Sequence, residues 1–287
     1  MGTSQSSNGS PSGVPMVPPW VPDIPPPPAP AEGAPPTPDH DPNETPNPGL
    51  PQHIAPQQPI PIAPLRRFYG ASRNLGDFAR SGDPAAMRRG FGQYVKNGYG
   101  GSAIATRRLG STVQTANALY SALSGGATNP FAAPGGPLDP VLIAGRSADE
   151  IMDAVVEAVR PVDGTQDAEA SRTAIKDALS DVLERFPDAD LLDLQEEQRE
   201  LAIERYVAGD VFRRFDLELG KKVYEKAPDA TTALSRLKEV REYVRETVAA
   251  SFRQLRDSGH QLAAGRVLQI VQSALRDAHQ VFEGYAE

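Results

Sequence analysis

The chain contains no cysteine. Disulfides, thiolate metal centres and cysteine nucleophiles are therefore excluded, and a reducing, cytoplasmic setting is expected. No run of 18 apolar residues occurs, so no segment is expected to span a membrane. The start has neither the charged nor the apolar region of a secretory signal. There is no G-x-S-x-G, no H-E-x-x-H, no P-loop and no dinucleotide fingerprint. His40, His53, His260 and His279 have no second ligand at the i+4 spacing of a metal site. His279 is expected to be a partly exposed or satisfied helix residue, and the chain is not expected to be an enzyme. Lys and Arg are missing altogether from residues 1–64, which hold 21 of the 29 prolines and five acidic residues.

That first stretch cannot bury enough apolar surface to offset its ordering entropy and reads as a disordered, Pro-rich tail. Polyproline II rises about 3.1 Å per residue, so the tail can act as a long spacer. One apolar island, Val14 to Pro22, interrupts it and carries the lone tryptophan, Trp20, a candidate docking point for a partner groove.

Charge is unevenly placed along the chain. Residues 1–64 carry −5; residues 65–110 carry nine Arg or Lys against Asp77 and Asp83; residues 111–287 carry −10. In the basic collar Arg alternates with aromatics: Arg66-Arg67-Phe68-Tyr69, then Arg88-Arg89-Gly90-Phe91. Such interleaving can contact phosphates and stack on bases, or dock on an acidic partner or on the acidic body itself. Arg66, Arg67, Arg88 and Arg89 are the candidates for nucleic-acid or partner binding. Glu283-Gly284-Tyr285 is expected to fray.

The remainder reads as all-α, with no period-2 strand pattern. Asp83-Pro84 is an N-cap followed by Pro at N1, opening a helix that Gly98 closes. A helix is expected over 102–124, then a Pro/Gly loop. Ser147-Ala148-Asp149-Glu150 is a capping box, and Pro161 ends the helix it starts. Further helices are expected near 168–186, near 194–226 with a bend or break at Gly209 or Gly220, at 230–257 with Leu234 on the buried stripe, and at 261–283. The expected organisation is a tail (1–64), a basic helical segment (65–126), a loop (127–146) and a helical domain (147–287).

Gly2 becomes the first residue once Met1 is removed. Its amine has no Cβ beside it and is a plausible acyl acceptor. Met1-Gly2 with Ser6 also fits a myristoylation pattern, but the neighbouring tail is acidic and supplies no second membrane signal.

Several segments taken together resemble the QatB family of bacterial Qat anti-phage defence systems. They are Met1 to Ser4 with Gly13-Val14-Pro15 and Val17-Pro18-Pro19-Trp20; Met87-Arg88-Arg89-Gly90 with Tyr99-Gly100-Gly101; and Gly136-Pro137-Leu138-Asp139-Pro140. The run Gly145 to Asp167, Arg185-Phe186-Pro187 to Leu192, and Phe282-Glu283-Gly284-Tyr285 complete the set. The resemblance implies a non-catalytic defence component working beside an ATPase, a QueC-like enzyme and a TatD-like nuclease. It further implies that Gly2 accepts a 7-deazaguanine amide from the QueC-like partner. Thr3, Ser4 and Ser6 would be its near recognition residues and Trp20 a second contact. No bound cofactor is expected. A nucleic-acid module acting through 65–110, or a pure scaffold, are the rival expectations.

Overall fold

The computed structural model describes residues 15–17, 62–125 and 129–286. Among these the chain is all-α, with eleven α-helices and one isolated antiparallel bridge between Pro15 and Ile62.

The helices begin where capping chemistry places them. Asp83 accepts from the Ala85 and Ala86 N–H groups, and Pro84 opens α2 (Pro84–Gln93), which follows α1 (Tyr69–Ser81). A π turn, Tyr94–Gly98, continues α2. The helix expected over 102–124 is two helices, α3 (Ser102–Arg108) and α4 (Gly110–Ala122), because Leu109 leaves helical geometry with ψ at 24°. The Pro/Gly loop contains the short α5 (Pro140–Ile143) and is tied down: Asn129 donates to the Ala122 carbonyl, and Leu138 and Ile143 are buried.

Ser147 and Glu150 form the reciprocal capping box of α6 (Ala148–Val159), which ends before Pro161. Thr165 caps α7 (Gln166–Arg185). The next helix, α8 (Glu196–Phe215), runs unbroken through Gly209 and passes into a second π turn, Asp216–Gly220, before α9 (Lys221–Lys226). The expected interruption thus falls near Gly220. Asp229 caps α10 (Ala230–Asp257), with the bounds the periodicity predicts, although Leu234 is 58% exposed and faces away from the stripe formed by Leu237, Val240, Val244 and Val248. The last helix, α11, is Val267–Glu283, shorter than expected because 260–266 are irregular.

One hydrophobic cluster joins the two sides of the Pro/Gly loop, running from Phe68 and Phe91 through Leu119 and Leu138 to Phe215, Val244 and Phe282. α7 packs along α8, α8 on α10, and α10 on α11, while α11 also covers α3 and α4. At the centre the Phe91 ring stacks on Phe215 at 4.4 Å and tilts against Phe282 at 5.1 Å. The expected frayed end is docked instead. Glu283 accepts from the Ser102 N–H, Gln93 donates to the Ala286 carbonyl, and the backbone of Tyr285 and Ala286 crosses Gly92 so closely that any Cβ there would collide.

Candidate functional site: the anchor of the N-terminal arm

The two π turns meet. Tyr94, in the first, donates its phenol to Glu218 Oε2, in the second, at 2.6 Å. Tyr99 donates to the same oxygen, and the two phenols lie 2.9 Å apart. Burial, reinforced by the Glu218 charge, pushes both phenols well above the ordinary tyrosine range, so they stay protonated and act as donors. Arg108, at the end of α3, closes the cluster: its Nη2 stands 3.5 Å from Glu218 Oε1 and its guanidinium 5.2 Å from the Tyr99 ring centre. Burial opposes the Arg108 charge, but Tyr99 and Glu218 outweigh it and hold its pKa above the usual value.

The N-terminal arm is fastened onto this cluster. Arg108 Nη1 donates to the Met16 carbonyl at 3.0 Å. Met16 and Val17 are each only 3% exposed, and Ala63, next to the bridging Ile62, is buried as well. Gly100, at φ +81°, provides the surface under Met16: a Cβ there would sit 3.3 Å from the Met16 sulfur, on a backbone conformation that side chains avoid. The stretch 1–64 is therefore not separate from the body throughout, because Met16 and Val17 are buried against their own chain. Within the described residues Met16, Val17 and Ala63 are buried, and the exposed Pro15 and Ile62 bridge to each other.

Gly2, Thr3, Ser4, Ser6 and Trp20 lie outside the described residues. The four arginines of the collar are not brought onto one face. Arg67 is buried over the Phe68 ring at 4.6 Å, and burial lowers its pKa against the pull of Glu218. Arg67, one of the candidates for nucleic-acid or partner binding, is thus a buried side chain. Arg88 lies over the Tyr285 ring at 5.6 Å, Arg89 pairs with Asp83 at 3.6 Å, and Arg66 is exposed just before α1. The aromatics interleaved with them, Phe68, Phe91 and Tyr94, point inward and build the core rather than a base-stacking platform.

His279 is the satisfied histidine of the two readings. It is buried, its Nδ1 lies 3.0 Å from Thr106 Oγ1, and burial lowers its pKa to about 4. No group of three His, Asp or Glu among the described residues is arranged to hold a metal ion, and no described helix is long and apolar enough to cross a membrane. Neither Glu218, beside Asp216, nor Arg108, beside Arg107, stands out in the sequence, because each is one of several charges in a helical pattern. The one trace is that both π turns end on a glycine, Gly98 and Gly220.

No curated protein and no solved structure matches the chain. A protein-family model does, over residues 100–282, from the glycine beneath Met16 to the aromatic cluster at the end of α11. Its description is "Qat anti-phage system associated protein QatB". Since the match takes in well over half of the chain and, from α3 onward, most of the helical body, the chain belongs to the QatB family, components of the Qat anti-phage defence system.

Proposed function

We propose that this chain is a non-catalytic defence component and that Gly2, freed by removal of Met1, is the acceptor for a 7-deazaguanine amide made by a QueC-like partner enzyme. The observation that carries the reading is the anchor at Met16 and Val17. It fixes the chain at Met16, and from there Gly2 can lie at most about 50 Å away along a fully extended backbone. A fixed base and a short arm raise the local concentration of an N-terminal amine at an enzyme seated beside the anchor. At pH 7 about a tenth to a fifth of such an amine is neutral. Its nitrogen attacks the ATP-activated carboxyl carbon of the deazaguanine, the bond to the activating group breaks, and the amine proton passes to water. Thr3, Ser4 and Ser6 lie near enough to Gly2 to be read in the same active site, with Trp20 as a second contact. The ATPase and the TatD-like nuclease are the other proposed partners.

Intact-mass analysis of the chain co-expressed with the QueC-like enzyme tests this. The expected result is a deazaguanine adduct on the N-terminal peptide that disappears, together with phage protection, in Gly2→Glu. An unmodified N-terminus, or undiminished protection in Gly2→Glu, overturns it. Pure scaffolding predicts instead that partner capture and protection both survive deletion of residues 1–14.

A further inference from the structure

Away from the anchor, α1 and α9 enclose a recess of about 380 Å³. Arg66, Arg73 and Arg80 line it from the α1 side, and Lys222 and Lys226 from α9; no acidic side chain does. Arg80 is paired with Asp77 and Lys222 with Glu225, whereas Arg66, Arg73 and Lys226 make no ion pair among the described residues. Cations crowded on one concave surface repel each other, and an anion placed among them gains from the focused field.

Two further observations point to a ligand. Ser72, on the wall of the recess, is 7% exposed, and its hydroxyl has no hydrogen-bond partner. A helical serine normally satisfies itself on the carbonyl four residues back, and a buried hydroxyl left unpaired is costly. Arg66 is the only non-glycine among the described residues with positive φ, at 56°, a conformation that persists only where the surroundings impose it. The turn it makes is closed by the Tyr69 N–H on the Arg66 carbonyl at 2.8 Å. The Tyr69 ring, 64% exposed, stands at the same recess.

We propose that this recess binds a nucleoside polyphosphate. The phosphate oxygens meet Arg66, Arg73 and Lys226, the Ser72 hydroxyl donates to one of them, and the base stacks on Tyr69. The volume is that of a small-ligand site, for which about 300–1,000 Å³ is usual. A nucleic-acid strand would need the cations to continue beyond the recess. The other exposed arginines of the collar are instead engaged by Tyr285 and Asp83. This site is independent of the Gly2 reading and stands or falls without it.

Calorimetric titration of the full-length chain with magnesium-free ATP tests the proposal. Saturable one-site binding that weakens with salt is expected. Arg73→Glu combined with Lys226→Glu, both exposed positions, lowers the affinity about tenfold or more, and Ser72→Ala about threefold or more, with no loss of melting temperature. ATP binds several-fold tighter than inorganic pyrophosphate, and Tyr69→Ala erases the difference. No binding at about 1 mM ATP, or binding indifferent to the charge reversals, overturns the proposal. So does an oligothymidylate that binds through the same residues more tightly than ATP.

Discussion

Arg108 holds the Met16 carbonyl with one guanidinium nitrogen and faces the Glu218 carboxylate with another. The arm is thus fastened to a side chain that two buried phenols and a π turn keep in place, and whatever moves Glu218 moves the anchor.

Met16→Asp releases the arm. Full burial of a methionine side chain is worth about 1.5–3 kcal/mol, so its loss shifts docking at least about tenfold toward the open state. Met16 and Val17 lie outside the main core cluster, and the melting temperature of the body stays within about 2 °C. Limited proteolysis reads the change as cleavage near residues 15–17 accelerated by about an order of magnitude. Arg108→Gln acts in the same direction. Unchanged cleavage in both variants would rule the anchor out.

Glu218→Ala removes the acceptor of two buried phenols and the partner of Arg108. Chemical denaturation is expected to show a loss of about 2–4 kcal/mol. The same substitution in a Tyr94→Phe, Tyr99→Phe background costs less, because no phenol is then left unpaired.

Asp210 is fully buried on α8. It accepts from Thr112 Oγ1 at 2.5 Å and from Arg214 Nε at 3.1 Å, and Arg214 reaches on to Asp167 and Ser111. These contacts tie α4, α7 and α8 together. Arg214→Met strands the Asp210 charge and is expected to cost about 3–5 kcal/mol, whereas Asp210→Leu with Arg214→Met recovers most of it. The comparison is read from denaturation midpoints.

His279 makes stability depend on mild acid. Its pKa is about 4 in the fold against 6.5 unfolded, because burial disfavours the imidazolium. Between those values the unfolded chain takes up a proton that the folded chain does not. The contribution is therefore complete above pH 6.5 and falls away toward pH 4, on the order of 3 kcal/mol in all. His279→Gln, which keeps a polar partner for Thr106, flattens the pH dependence of the unfolding free energy in that window. An unchanged slope would contradict the assignment.

The helices were legible because their determinants are local. Asp83 before Pro84, Ser147 with Glu150, and the three-and-four spacing through Leu237, Val240, Val244 and Val248 need only neighbouring residues to act. The site was less legible. Glu218 meets Tyr94 and Tyr99 across more than a hundred residues of chain. The collar leaves its alternatives open for the same reason, since alternating Arg and aromatic residues look alike whether the rings face solvent or, as with Phe68 and Phe91, the core.

Composition and periodicity alone determined an all-α body with a Pro-rich, base-free N-terminal stretch, since burial patterns and chain entropy depend on the residues present and their order. Only the tertiary structure decided that Met16 closes onto Gly100 and Arg108 with Val17 buried beside it, that Arg67 is interior, and that Arg66, Arg73 and Lys226 share one recess. These are contacts between distant segments, and their partners are selected by packing and by the cost of leaving buried polar groups unpaired, neither of which is written in local sequence.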